Sequence, residues 1–144
     1  MAKLVWALIC QRVLLDQPTN RMSYIDALDA VSLAQFPVKA PQVLLTSVWQ
    51  RGAESRLEMK VRVYSPAGSM LTEAVASPLD FSPEHRRARM SVAIGGFDIE
   101  TPGRYEFAIE TPNSGNWTEV QRVPFDVDDA RVDVLANNAK KLLG

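Results

Sequence analysis

His85, in "FSPEHRRAR", is the single histidine of this 144-residue chain, so every Ser/His/Asp or Cys/His route to nucleophilic catalysis has to pass through it. Pro83 and the flanking Glu84, Arg86 and Arg87 read as a solvated connection entering a strand, which favours a surface-loop histidine over a general base. Cys10, the single cysteine, ends the apolar run "LVWALIC", where a thiol behaves as a small hydrophobe. One sulfur cannot close an internal disulfide, and one sulfur with one imidazole is too poor a set for a zinc site. Asp126, Asp128 and Asp129 bring three carboxylates together, as a calcium site at a sheet end would, but helix capping explains them without a metal. Arg86, Arg87 and Arg89 suit phosphate by type, yet their alternation with apolar residues reads first as one exposed sheet face. No catalytic residue, cofactor-binding residue or metal ligand is assigned from the sequence, and no cofactor is expected.

Binding chemistry is better represented than catalysis. Trp117 follows the turn "NSGN", which places an indole near a hairpin tip, where it can meet sugar or protein. Asn116, Trp117 and Thr118 also satisfy the N-glycosylation pattern, which matters only on the secretory route. From Asp128 the tail "DDARVDVLANNAKKLLG" sets Leu135, Ala139 and Leu142 at helical spacing, with acids at its start and lysines in its last turn, as the helix dipole favours. Its apolar stripe packs on its own domain or docks another chain. Trp117, Asn116, Leu135, Ala139 and Leu142 are therefore the candidate interaction residues.

The elements that must carry these groups are strands. Arg56, Glu58, Lys60 and Arg62 alternate with Leu57, Met59, Val61 and Val63, which predicts one face in water and one in a core. Arg87 to Ile94 and Arg104 to Glu110 alternate in the same way. Turn residues at "QPTN", "RGAES", "SPAG", "TPG" and "NSGN" divide the chain into eight expected strands, near 3–15, 22–28, 42–50, 56–64, 69–76, 87–97, 104–111 and 117–127. Ser23 and Asp26 also fit the start of a helix, but the preceding turn and the following "FP" favour a strand and then an irregular crossing. No long helix separates the strands, so the sheets should be mainly antiparallel and close as a two-sheet sandwich over residues 1–128, with a C-terminal amphipathic helix or tail over 129–144.

Sixteen basic and seventeen acidic residues leave a net charge of −1, which offers no global field for a nucleic-acid backbone. The opening apolar run is broken by Gln11 and Arg12 after seven residues, too short for a membrane helix and without a cleavage site, so it is expected to be a strand central in a sheet. With a lone cysteine, that points to a reducing, cytoplasmic setting and to no membrane partner.

Two resemblances can be quoted. "ETPGRYEFAIETP", with Tyr105 and Phe107 on one face, and the last strand at Val123, Phe125 and Val127 resemble the closing hairpin of immunoglobulin-like domains, without their inter-sheet disulfide; Tyr105 would then stand at the tyrosine corner. "ICQRVLLDQPTNRMSYIDALDAVSLAQFP", followed by "LLTSVW" and "VRVYSPAG", is similar to a family of uncharacterised bacterial proteins defined only as a domain of unknown function, with "SYID" standing where that family carries a glycine-containing pattern. The resemblance implies a β-sandwich and transfers no catalytic residue. The expected function is a non-catalytic, protein-interaction or structural module, self-associating or with a protein partner. The alternatives are a small-ligand or carbohydrate binder and, after that, a hydrolase using His85.

Overall fold

A computed structural model describes residues 1–131, in which thirteen strands run to Asp129 and the last two described residues, Ala130 and Arg131, are helical. In chain order these are β1 (Lys3–Asp16), β2 (Arg21–Ala27), β3 (Ala30–Leu33), β4 (Val38–Lys39), β5 (Val43–Gln50), β6 (Arg56–Leu57), β7 (Lys60–Tyr64), β8 (Met70–Val75), β9 (Leu79–Asp80), β10 (Arg87–Ile94), β11 (Asp98–Ile99), β12 (Gly103–Asn113) and β13 (Asn116–Asp129). One sheet has the order β10-β5-β1-β2, the other β3-β13-β12-β7-β8, and two short ribbons pair β4 with β11 and β6 with β9. All pairings are antiparallel except β3 with β13. Both large sheets feed one hydrophobic core. Ile9, Leu45, Trp49, Met90 and Val92 enter from the four-stranded sheet, and Val61, Val63, Phe107, Ile109 and Phe125 from the five-stranded one.

The alternation read from the sequence reappears in burial, with Lys60, Ala108 and Glu110 as exceptions. Along β10 the pattern is strict: Arg87, Arg89, Ser91 and Ala93 are exposed, and Ala88, Met90, Val92 and Ile94 are buried. The opening run is a central strand, paired with β5 on one side and β2 on the other. It needs two apolar faces because Leu4, Ala7 and Ile9 join the core while Trp6, Leu8 and Cys10 lie on the outer side, in register with Val48, Thr46 and Leu44. A register shift between Leu4 and Trp6 sets this phase.

Five of the thirteen strands do not stand as separate pieces among the eight expected. β3, β4, β6, β9 and β11 have two to four residues each, too short to carry a period, and exist because tertiary partners reach them. The segment expected as one strand over 56–64 is therefore β6, paired with β9, and β7, paired with β8 and β12. Ser23 begins no helix; it is a strand residue opposite Leu14. The crossing after β2 contains β3, β4 and a cis Phe36–Pro37 bond. Asp129 is the last residue of β13, extended opposite Leu33 in the parallel ladder with β3, and its Oδ1 accepts from the Arg131 N–H at 2.9 Å, as an N-cap does, with Ala130 and Arg131 helical at the end of the described residues. The remainder of the expected helix, with Leu135, Ala139 and Leu142, lies outside the described residues. Among the described residues no helix is long and apolar enough to cross a membrane.

Candidate functional site

The outer faces of the two sheets carry charge differently. On the five-stranded sheet, Arg104 is bidentate to Asp126 at 2.8 and 3.2 Å. Arg122 grips Glu119 at 3.0 Å, approaches Glu106 at 3.8 Å and lies 4.6 Å over the Tyr64 ring. Arg62 bridges Glu73 at 2.9 Å and Glu110 at 3.2 Å. The hydrogen bonds to Asp126 raise the Arg104 guanidinium further above its ordinary value and hold the Asp126 carboxyl below the ordinary carboxylate range. Cations and anions on this face answer one another.

Trp117 belongs to the same face. Ser114 and Gly115 both have positive φ, 52° and 85°, so the two-residue turn is of the type that matches strand twist, with Asn113 opposite Asn116. Trp117 follows on β13 as expected, 39% exposed, and Asn116 beside it is exposed. One face of the indole is occupied, since Lys60 Nζ lies 4.4 Å from the ring centroid. That cover corrects the reading of Lys60 as a water-facing residue: it is 6% exposed, and Glu110 and Ala108, also placed on the water face by alternation, are buried.

The four-stranded sheet is different. Tyr24 is paired with Val13, seven residues beyond Trp6 on β1. In an extended ribbon those seven residues span about 23 Å. The Trp6 and Tyr24 rings are instead 5.1 Å apart and perpendicular. The distal part of the β1–β2 hairpin therefore folds back across the outer side of its own sheet. Asp26, at φ 54°, breaks the regular backbone of β2 near the bend, and at the far end the carbonyl of Asn20 is 3.5 Å from Arg89 Nη1. Cys10 sits where the ribbon leaves the sheet, the last β1 residue paired to both β5 and β2, fully buried yet outside the main core cluster. Burial pushes its thiol upward, against a smaller opposing effect of a backbone hydrogen bond at Arg12.

Between the folded-back hairpin and the entry to β10 lies a groove of about 810 Å³. Trp6, Tyr24, Met22 and Val48 give it an apolar floor, and His85, Arg86, Arg87 and Arg89 a cationic wall, with Glu84 the single carboxylate among the lining residues. The wall is fixed by backbone: His85 N–H donates to the Ser82 carbonyl at 3.0 Å, Arg51 N–H to the Arg86 carbonyl at 2.7 Å, and Arg51 Nη1 to the Ser82 carbonyl at 3.0 Å. Arg86, Arg87 and Arg89 are exposed and make no ion pair among the described residues.

The sequence-derived candidates thus separate. His85 is in the groove, with no serine, threonine or cysteine side chain among the lining residues. Asp126 and Asp129 are engaged by Arg104 and Arg131, and no group of acids, histidine and cysteine suited to a metal ion occurs among the described residues. Trp6 carries no sequence signal of a site, because its place beside the arginines depends on two pairings, Trp6 opposite Val48 and Val48 opposite Arg89, which no local pattern encodes.

Residues 5–128 match the Family of unknown function (DUF6941), and the chain belongs to it. No curated protein and no solved structure matches.

Proposed function

We propose that this member of the DUF6941 family is a non-catalytic binding module that holds an anionic protein segment in the arginine-rimmed groove of its four-stranded sheet. The observation that carries the reading is the lack of counter-charge. Every arginine on the outer face of the other sheet has a carboxylate partner, whereas Arg86, Arg87 and Arg89 stand without one beside an aromatic pair, Arg89 reaching only the Asn20 carbonyl. Guanidinium groups are weakly hydrated, bind carboxylates through paired N–H donors and stack on aromatic rings, so a groove of this composition takes a carboxylate-bearing chain with apolar side chains between its charges.

The scaffold in this reading is an immunoglobulin-like two-sheet sandwich. Support comes from the order β10-β5-β1 facing β8-β7-β12-β13, and from Tyr105, whose hydroxyl donates to the Thr101 carbonyl four residues upstream at 2.7 Å. The β1–β2 hairpin is then an addition that turns one outer face into a groove. A carbohydrate site at Trp117 has less support, since Lys60 already lies over its ring.

A fluorescein-labelled octaglutamate peptide, titrated with the protein and followed by anisotropy, tests the proposal. Binding that weakens as salt rises and is lost in R87E/R89E, but persists in R122Q, supports it. Equal binding by wild type and R87E/R89E would overturn it.

A further inference from the structure

The groove is bounded by the edge strand of its sheet, which β8 of the facing sheet approaches without pairing to it. β10 closes one end of the order β10-β5-β1-β2, so β5 is its one hydrogen-bonded neighbour among the described residues. In an antiparallel ladder every second residue of an edge strand turns its N–H and C=O away from the partner, which leaves β10 a row of unused donors and acceptors. The eight residues of β10 are in continuous register with β5, with no bulge to twist the edge out of use. Its exposed side chains start with Arg87 and Arg89, two residues apart and therefore on one face, the face of the groove.

Resting on the binding function proposed above, we infer that the partner is an extended acidic segment that adds to β10 as a fifth strand, with carboxylates at alternate positions opposite Arg87 and Arg89. Directly opposed residues on neighbouring strands bring their Cβ atoms to about 4.5–5.5 Å, within reach of a guanidinium–carboxylate pair. The intervening side chains of the added strand point to the core side, beside Ala88, Met90 and Val92, and are apolar. Beyond the strand, Arg86 and His85 meet the segment as it leaves the sheet. The recognition element is thus acid–apolar–acid–apolar in extended form, with backbone hydrogen bonds supplying affinity and the arginines supplying choice of partner and direction. Arginines without carboxylate partners on the edge also work against a basic strand, including that of a second copy, because like charges on adjacent strands repel. The thirteen residues that follow Arg131 do not supply the acidic segment, since they hold one aspartate against two lysines.

The test uses the full chain and a ten-residue peptide of alternating glutamate and valine, and a second peptide N-methylated at every other residue on the edge meant to pair. The proposal expects the unmodified peptide to bind, the N-methylated peptide to bind at least roughly tenfold more weakly, and amide exchange to slow at alternate residues of Arg87–Ile94. Equal binding of the two peptides, or protection absent from this strand, overturns strand addition while leaving the anion-binding groove standing. Binding of both peptides unchanged in R87E/R89E overturns the groove itself. Circular dichroism and the urea midpoint of R87E/R89E establish that the variant is folded. If it is not, R87Q/R89Q carries the same comparison, with weaker binding supporting the proposal and unchanged binding overturning it.

Discussion

If the hairpin is folded back, Trp6 and Tyr24 must be energetically coupled, and the coupling can be measured. The perturbations are Trp6→Leu, Tyr24→Leu and the double variant, which keep apolar bulk while removing the ring-on-ring contact. At 5.1 Å between centroids and 90° between planes, the pair has the edge-to-face geometry whose contribution beyond area burial is about 0.5–1.5 kcal/mol. Residues more than about 7–10 Å apart are additive to within roughly 0.3–0.5 kcal/mol, and a straight ribbon would set these two about 23 Å apart. A double-mutant cycle therefore discriminates the two arrangements. Urea unfolding followed through Trp49, fully buried in the core and retained in all four proteins, gives the four stabilities, provided the denaturant slope is common to them. Coupling of about 1 kcal/mol is expected. Coupling indistinguishable from zero would refute the fold-back and, with it, the groove.

Ser47 is fully buried, accepts from Trp49 Nε1 at 2.9 Å and donates to the Met90 carbonyl at 3.0 Å, so Ser47→Ala strands a buried indole N–H and should cost about 2–3 kcal/mol in urea unfolding, with groove binding unaffected. Asp126 has its folded pKa depressed by Arg104, so the stability it confers is present above its unfolded value and is lost as pH falls through the folded one. Asp126→Asn should be less stable than wild type at pH 7, and the gap should close in acid, as denaturation at pH 7 and pH 2.5 will show. Cys10, buried at the bend with its thiol pushed upward, should resist a thiol-reactive disulfide reagent in the native protein and react on unfolding; rapid native labelling would contradict its position.

The parts of this fold that a local pattern can encode were legible before any pairing was known. β10 declares itself because Arg87, Arg89, Ser91 and Ala93 face water and their neighbours do not, and β1 because seven successive apolar residues suit a strand covered on both sides. The β12–β13 hairpin is announced by "NSGN", whose serine and glycine take the two positive φ angles. What local pattern does not encode is contact between distant segments. The two-residue strands β4, β6, β9 and β11 exist through their partners alone, and Lys60, polar by alternation, is buried because Trp117 lies over it. The site divides along the same line. Arg86, Arg87 and Arg89 stood out in sequence as a cluster that could meet phosphate, but Trp6 and Tyr24 join them only through register with β5 and the return of the hairpin.

Amide and indole chemical-shift mapping of the ¹⁵N-labelled chain with unlabelled octaglutamate reads the location of anion binding directly. The account predicts shifts centred on the Trp6 indole, residues 20–24 and residues 84–94. Shifts centred instead on Tyr64, Arg104 and Arg122 of the opposite sheet, or none at all, would contradict it.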